Sequence, residues 1–286
     1  MALSARSGAH YGSMKQHPLD RALALEALGP GRYAGMSSPD YWNMVGPFGG
    51  TTAATVLRAV LMHPDLLGEP MSLTVNYAGA LGAGPFEVQV MPVRTNRTTQ
   101  HWTAGILQDN AQGQALITNT ATVITALRRE TWRMSDSPMP QVPGPSEVPA
   151  VNLDRAIAWF KNYELRPITG AIPREWHGGG DSSLTQLWMR DAPVRPLDFC
   201  SLAALSDAFF PRVWLRRATK VPAGTVSITT YFHASAQELG EADTGWVLGQ
   251  AQAQEFRHGF FDHSAQLWSE AGRLLCTSHQ LVYYKE

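Results

Sequence analysis

Ser72-Leu73-Thr74-Val75-Asn76-Tyr77 puts Leu73, Val75 and Tyr77 on one face of an extended chain and polar residues on the other. This period of two marks a half-buried strand. A similar hexapeptide returns as Ser227-Ile228-Thr229-Thr230-Tyr231-Phe232. The surroundings return with it. Before the first hexapeptide, Thr51 to Met62 carries Ala53, Val56, Leu57, Val60 and Leu61 at helical spacing and stops short of Pro64. After it come strand-like runs at Phe86 to Val93, Thr98 to Gln108 and Ala115 to Ile124, with turns at Arg94-Thr95-Asn96-Arg97 and Asp109 to Gly113. Before the second, Asp198 to Phe210 reads as a helix with Asp198 as N-cap and Pro211 as its stop. A strand over Thr225 to Ala234 contains the second hexapeptide, and runs at Trp246 to Phe256, Gly259 to Trp268 and Arg273 to Tyr284 follow. Ala115-Leu116-Ile117-Thr118-Asn119-Thr120 is answered by Leu274-Leu275-Cys276-Thr277-Ser278-His279. The repeated order predicts two copies of one unit, a helix followed by an antiparallel meander.

Outside these units, residues 1–17 read as a loose polar tail. Pro18 to Leu28 reads as a short helix closed by Gly29-Pro30-Gly31, and the Pro/Ser-rich residues 135–150 read as a linker. Hydrophobic residues make up 44% of the 286 and charged residues 16%, a balance for a folded chain rather than a disordered one. With 23 basic and 24 acidic residues the net charge is -1, which removes the global electrostatic reason to expect nucleic acid as a partner. Cys200 and Cys276 are the only cysteines, too few for a disulfide framework. Met1 to His17 lacks an apolar core of signal-peptide length, and no apolar run approaches the ~18 residues of a membrane span. A cytoplasmic protein that does not engage membranes is the expectation.

Particular motifs carry a family resemblance. Gly46-Pro47-Phe48-Gly49-Gly50 before an Ala-rich helix resembles the first-half signature of acyl-CoA thioesterase II (TesB-like) proteins. So do Arg94 to Thr98, Leu165-Arg166-Pro167, Gln186 to Arg190, Leu205 to Pro211, Tyr231-Phe232-His233 and Gly272 to Gln280, in that order from about residue 40 to the end. The resemblance implies an α+β double hotdog, two antiparallel sheets each wrapped around a central helix. It divides the chain into an N-terminal hotdog (1–134), a Pro-rich linker with a short helix (135–165) and a C-terminal hotdog (166–286). It also implies an acyl-CoA substrate, no cofactor, and a homodimer or higher homo-oligomer. Three catalytic groups of the family fall on Asp207, Thr225 and Gln280. Ser227 and Ile228 depart from the Asp-His that often follows the Thr, and Asn96 from the usual turn Gly.

The residues also constrain the chemistry directly. No Gly-x-Ser-x-Gly elbow occurs, and the two cysteines lie in apolar runs where Cys usually packs as a small hydrophobe. Attack by water on the thioester carbonyl remains, which needs a carboxylate base and donors for the oxyanion. Asp207 sits at the edge of the apolar face formed by Phe199, Leu202, Ala203, Phe209 and Phe210, where partial desolvation raises a carboxyl pKa. Thr225 and Gln280 fit as groups that hold the water. Their first-half counterparts, near Pro70 and at Ala121, lack the chemistry. Gly49 and Gly50 are candidate substrate-binding residues, bringing backbone N–H groups close to a carbonyl or phosphate. Glu255, His258, Asp262 and His263 lie close in sequence but split between two strand faces, so no metal site is expected. Two other readings stay open: a hotdog hydratase or dehydratase, and a non-catalytic acyl-thioester binder.

Overall fold

The computed structural model describes residues 16–153, 156–173 and 175–286; residues 1–15 of the expected tail lie outside them. The alternation seen in the sequence becomes strands. The first half holds β1 (Glu26–Gly29), β2 (Arg32–Met36), β3 (Glu69–Tyr77), β4 (Pro85–Thr95), β5 (Thr99–Asp109) and β6 (Ala115–Ala126). The second holds β7 (Tyr163–Thr169), β8 (Thr185–Asp191), β9 (Ala223–Phe232), β10 (Val247–Arg257), β11 (Phe260–Ser269) and β12 (Leu274–Tyr284). Phe86, Val88 and Val90 on β4, and Phe261, His263, Ala265 and Leu267 on β11, are the inward-facing sets.

All pairings are antiparallel and the strands form one twelve-stranded sheet, in the order β1-β2-β4-β5-β6-β3-β9-β12-β11-β10-β8-β7. The expected two sheets are thus halves of one. They are joined where β3 pairs β9, with Thr74 opposite Thr229 and their hydroxyls 3.0 Å apart. Read outward from that seam, each half repeats one topology. The ladders also correct the alignment of the copies. Pro70 opposes Thr125 and Ser72 opposes Ile124 as Thr225 opposes Val282 and Ser227 opposes Leu281, so the Ser72 and Ser227 hexapeptides do match, while the residue answering Gln280 is Val123, two from the Ala121 expected.

Two buried helices precede the meanders, α2 (Gly49–Leu61) and α3 (Phe199–Leu205). In α2, Gly50 to Leu57, Ala59 and Val60 are buried, the pattern of a helix enclosed on all sides. Two of its buried hydroxyls bond back to the preceding turn, Thr52 Oγ1 donating to Phe48 O at 3.3 Å and Thr55 Oγ1 to Thr51 O at 2.9 Å. The two helices pack together, and glycine permits it: a Cβ at Gly50 would lie 2.5 Å from Ala204 O.

Several elements differ from the sequence expectation. The helix expected over Pro18 to Leu28 is only α1 (Pro18–Ala22); Pro30-Gly31 instead turns the β1–β2 hairpin, with Gly31 at φ +64° beneath Val90 O. The helix expected to Phe210 ends at Leu205. There the Ser206 hydroxyl bonds Ala203 O and lies 3.0 Å from Thr230 Oγ1, while Ser206 O accepts from Ser278 Oγ, so the chain leaves the helix to meet β9 and β12. Short α4 (Val213–Arg216) and α5 (Ala236–Ala242) were not anticipated. The Pro-rich linker lies on the second-half sheet, where the indoles of Trp188 and Trp268 donate to Pro143 O and Ser137 O, both at 2.9 Å. No helix among the described residues is long and apolar enough to cross a membrane.

Candidate active site

A cavity of about 920 Å³ opens between the two halves, and Gly49, Asp207, Thr225 and Gln280 all lie on its wall. Asp207 follows the α3 C-cap, Ser206. The bonds that pin Ser206 to β9 and β12 therefore fix the carboxylate's starting point.

The side chains form a directed chain of hydrogen bonds. Thr225 Oγ1 donates to Gln280 Oε1 at 3.3 Å, and Gln280 Nε2 donates to Asp207 Oδ1 at 2.8 Å. The amide of Gln280 thereby has one orientation, acceptor toward the threonine and donor toward the carboxylate. The Gly50 N–H also donates to Asp207. Desolvation is the largest influence on this carboxyl and pushes its pKa from 3.8 up to about 7, against the opposing pull of the Gln280 and Gly50 hydrogen bonds. A carboxyl so placed is half-ionised near neutral pH, the condition that suits a general base.

The two glycines serve this carboxylate differently. A Cβ at Gly49 would stand 2.7 Å from Asp207 Oδ2, so only glycine leaves that oxygen its place. Gly50 lies against Phe48 and Ala204 rather than on the cavity wall, and its N–H is spent on Asp207.

Sequence reasoning missed several wall residues. Tyr77 donates its hydroxyl to Gly49 O at 2.7 Å and fixes the start of α2. Asn119 and the segment from Ile157 to Phe160 also line the cavity, and Trp159 stacks on Phe48 with ring centroids 4.0 Å apart. His263, considered beforehand only as a metal ligand, is inward-facing and 2% exposed. Its place between the apolar Phe261 and Ala265 on one strand phase is the signal that was available. Its neighbour Asp262 binds the Glu255 N–H and His279 instead. Both cysteines are buried, and burial pushes their thiols' pKa far up.

Comparison with solved structures defines the class: this is a hot dog fold. A protein described as a conserved protein of unknown function with hot dog fold, from Alicyclobacillus acidocaldarius, is 42% identical, with TM-score 0.88 over 95% of this chain and 99% of that one. An acyl-CoA thioesterase II from Mycobacterium marinum is similar at 16% identity and TM-score 0.74, covering 93% of this chain and 98% of its own. The TesB protein of Mycobacterium avium subspecies paratuberculosis is 18% identical, with TM-score 0.75 over 94% and 98%. At those identities the likeness is one of fold. A comparison with curated proteins finds no match. Residues 38–128 match the acyl-CoA thioesterase N-terminal domain and residues 135–284 the acyl-CoA thioesterase C-terminal domain. The chain belongs to the acyl-CoA thioesterase family, and so to the thioester hydrolases.

Proposed function

We propose that the protein hydrolyses acyl-CoA to a free carboxylic acid and CoA by direct attack of water, with Asp207 as the general base. The observation that supports this most is the Thr225–Gln280–Asp207 hydrogen-bond chain on the wall of a cavity large enough for an acyl chain. In the ionised form Asp207 takes a proton from a water held by Thr225 and Gln280, and the water oxygen bonds to the thioester carbon. The carbonyl oxygen gains the electron pair and negative charge, which the positive end of the α2 dipole at Gly49 favours. Collapse of that intermediate breaks the C–S bond, and the protonated Asp207 returns its proton to the departing thiolate. Thiol release from a panel of acyl-CoAs, with Asp207→Asn alongside, tests this. No turnover at any chain length removes the function, and full activity in the variant removes the site.

The same reading takes the chain as a double hotdog, each half wrapped about its own helix and divided at 1–134, 135–165 and 166–286. The hydratase or dehydratase alternative gains one observation, since His263 does lie on the cavity wall. Neither of its ring nitrogens bonds Asp207, however. Formation or loss of enoyl-CoA absorbance separates this alternative from hydrolysis.

A further inference from the structure

Tyr77 and Asn119 face each other on the last rung of the β3–β6 ladder, and both line the cavity. The matching rung of the second half is Phe232 opposite Cys276, at the end of the β9–β12 ladder. A shared irregularity fixes that match. The β5–β6 register skips Thr118, just before Asn119, and the β11–β12 register skips Leu275, just before Cys276. Phe232 and Cys276 are both buried in the core. The fold therefore accepts an apolar pair on this rung, and a polar pair stands there only in the half that Asp207 meets across the cavity.

The Tyr77 hydroxyl is accounted for by its bond to Gly49 O. The Asn119 amide is accounted for at one end only. Thr118 Oγ1 donates to Asn119 Oδ1 at 3.0 Å, and Asn119 Nδ2 has no partner among the described residues. Asn119 is 1% exposed, so the cavity is the one place where Nδ2 can find an acceptor. A buried amide donor without a partner costs stability. A bulge such as the one at Thr118 re-aims the side chain beside it, a device that recurs next to functional sites. Nδ2 carries two N–H groups and accepts nothing, so the ligand group that answers it is an acceptor such as a carbonyl oxygen.

Position narrows the ligand further. On the second-half side of Asp207 the wall is Phe209, Phe210, Trp214, Phe261 and Val282, a lining for hydrocarbon. On the first-half side Asn43 and Asn119 interrupt the apolar lining. A thioester whose carbonyl lies at Asp207 then turns its acyl chain toward the aromatic wall and its thiol arm toward Asn119. Facing residues on adjacent antiparallel strands have Cβ atoms about 5 Å apart, so Asn119 stands roughly one tyrosine ring back from Gly49 and the carboxylate. The arm of CoA carries its first amide two methylenes from the sulfur, and a hydrocarbon arm would leave Nδ2 unanswered. We propose that Asn119 is a substrate-binding residue whose Nδ2 donates to the carbonyl of that first amide, so that the first half recognises the thiol arm while the second half performs the chemistry. The inference rests on the hydrolytic reading above.

The test compares kcat/KM for three butanoyl thioesters in wild type, Asn119→Leu and Asn119→Cys. Butanoyl-CoA carries the whole arm, S-butanoyl-N-acetylcysteamine keeps only the first amide, and S-pentyl thiobutanoate has methylenes in its place. Asn119→Leu keeps the shape of the side chain, and Asn119→Cys installs the residue that the second half tolerates on the matching rung. Both variants are expected to lose about tenfold with the two amide-bearing substrates, the worth of one hydrogen bond, and less than about twofold with the pentyl thioester. An equal loss with all three substrates overturns the proposal, because it marks a structural role. So does activity that neither variant lowers. If wild type hydrolyses none of the three, the hydrolytic reading falls by itself. Calorimetric Kd values for S-butyl-CoA, a thioether, then decide the Asn119 assignment: binding about tenfold weaker in both variants upholds it, and unchanged affinity overturns it.

Discussion

Asp207→Asn is expected to remove activity and at the same time make the protein more stable at alkaline pH. In the unfolded chain the carboxyl ionises near its ordinary 3.8, and in the native site near 7. Between those values the native state binds the extra proton, so stability falls as pH rises through the window and is flat on either side. At about 1.4 kcal/mol per pH unit, the displacement amounts to about 4 kcal/mol of destabilisation above pH 7. The asparagine carries no charge to desolvate, and the site can accommodate it. If the Gln280 amide inverts, its oxygen accepts from the new Nδ2 and its nitrogen donates to Thr225, while the new Oδ1 still accepts from Gly50. Melting curves at pH 4, 6 and 8 are the assay. The variant should match wild type at pH 4 and exceed it by about 5–10 °C at pH 8. Thiol release should fall about 10²- to 10⁴-fold, the worth of a general base, and wild-type kcat/KM should climb through pH 7. A stability difference that does not change between pH 4 and pH 8 would refute the desolvated carboxylate, and with it the argument for Asp207 as base.

Gln280→Ala removes a hydrogen bond to the carboxylate, so kcat should drop about 10- to 100-fold. The rate–pH midpoint should move upward, because that bond holds the carboxyl's pKa down; pH–rate profiles check both. Gly49→Ala drives a methyl into Asp207 Oδ2. Activity should fall about 100-fold from the misplaced base, while a melting curve shows only a small change, since alanine favours helix. Thiol reagents should leave native activity intact and titrate both cysteines only after denaturation, because Cys200 and Cys276 are buried with raised pKa. Inhibition of the native enzyme at stoichiometric reagent would contradict that.

The meanders and the first helix were legible because each signal lies within one segment: alternation for the strands, small apolar residues at helical spacing for α2. The hairpins were not. Every residue of β1 is exposed, so no alternation marks it. In β8, Leu187, Trp188 and Met189 are buried in succession, because the linker covers the outer face through the Trp188 bond to Pro143. The α3 boundary was misplaced for a similar reason, since the contacts that end the helix at Ser206 come from β9 and β12, distant in sequence. The motif resemblance named Asp207, Thr225 and Gln280, which the fold brings together. It did not reveal that Gly50 would spend its N–H on the carboxylate or that Tyr77 would anchor Gly49, because both depend on how the two halves meet.

That meeting explains why one site, not two, arises from a duplicated fold. The carboxylate, threonine and glutamine all come from the second half, but their environment comes from the first. Gly50 donates to Asp207, Gly49 leaves room for Oδ2, and Tyr77 holds Gly49 in place. The first half gives up the polar pair, with Trp102 and Val123 where His263 and Gln280 stand. Each unsatisfied polar group buried costs about 1–3 kcal/mol, so carrying the constellation once leaves the other half free to bury α2 tightly. Neither half alone holds both the base and the backbone donor that bonds it. On the proposed mechanism, the β3–β9 seam, which makes the two halves one sheet, is therefore as necessary as any of the three side chains.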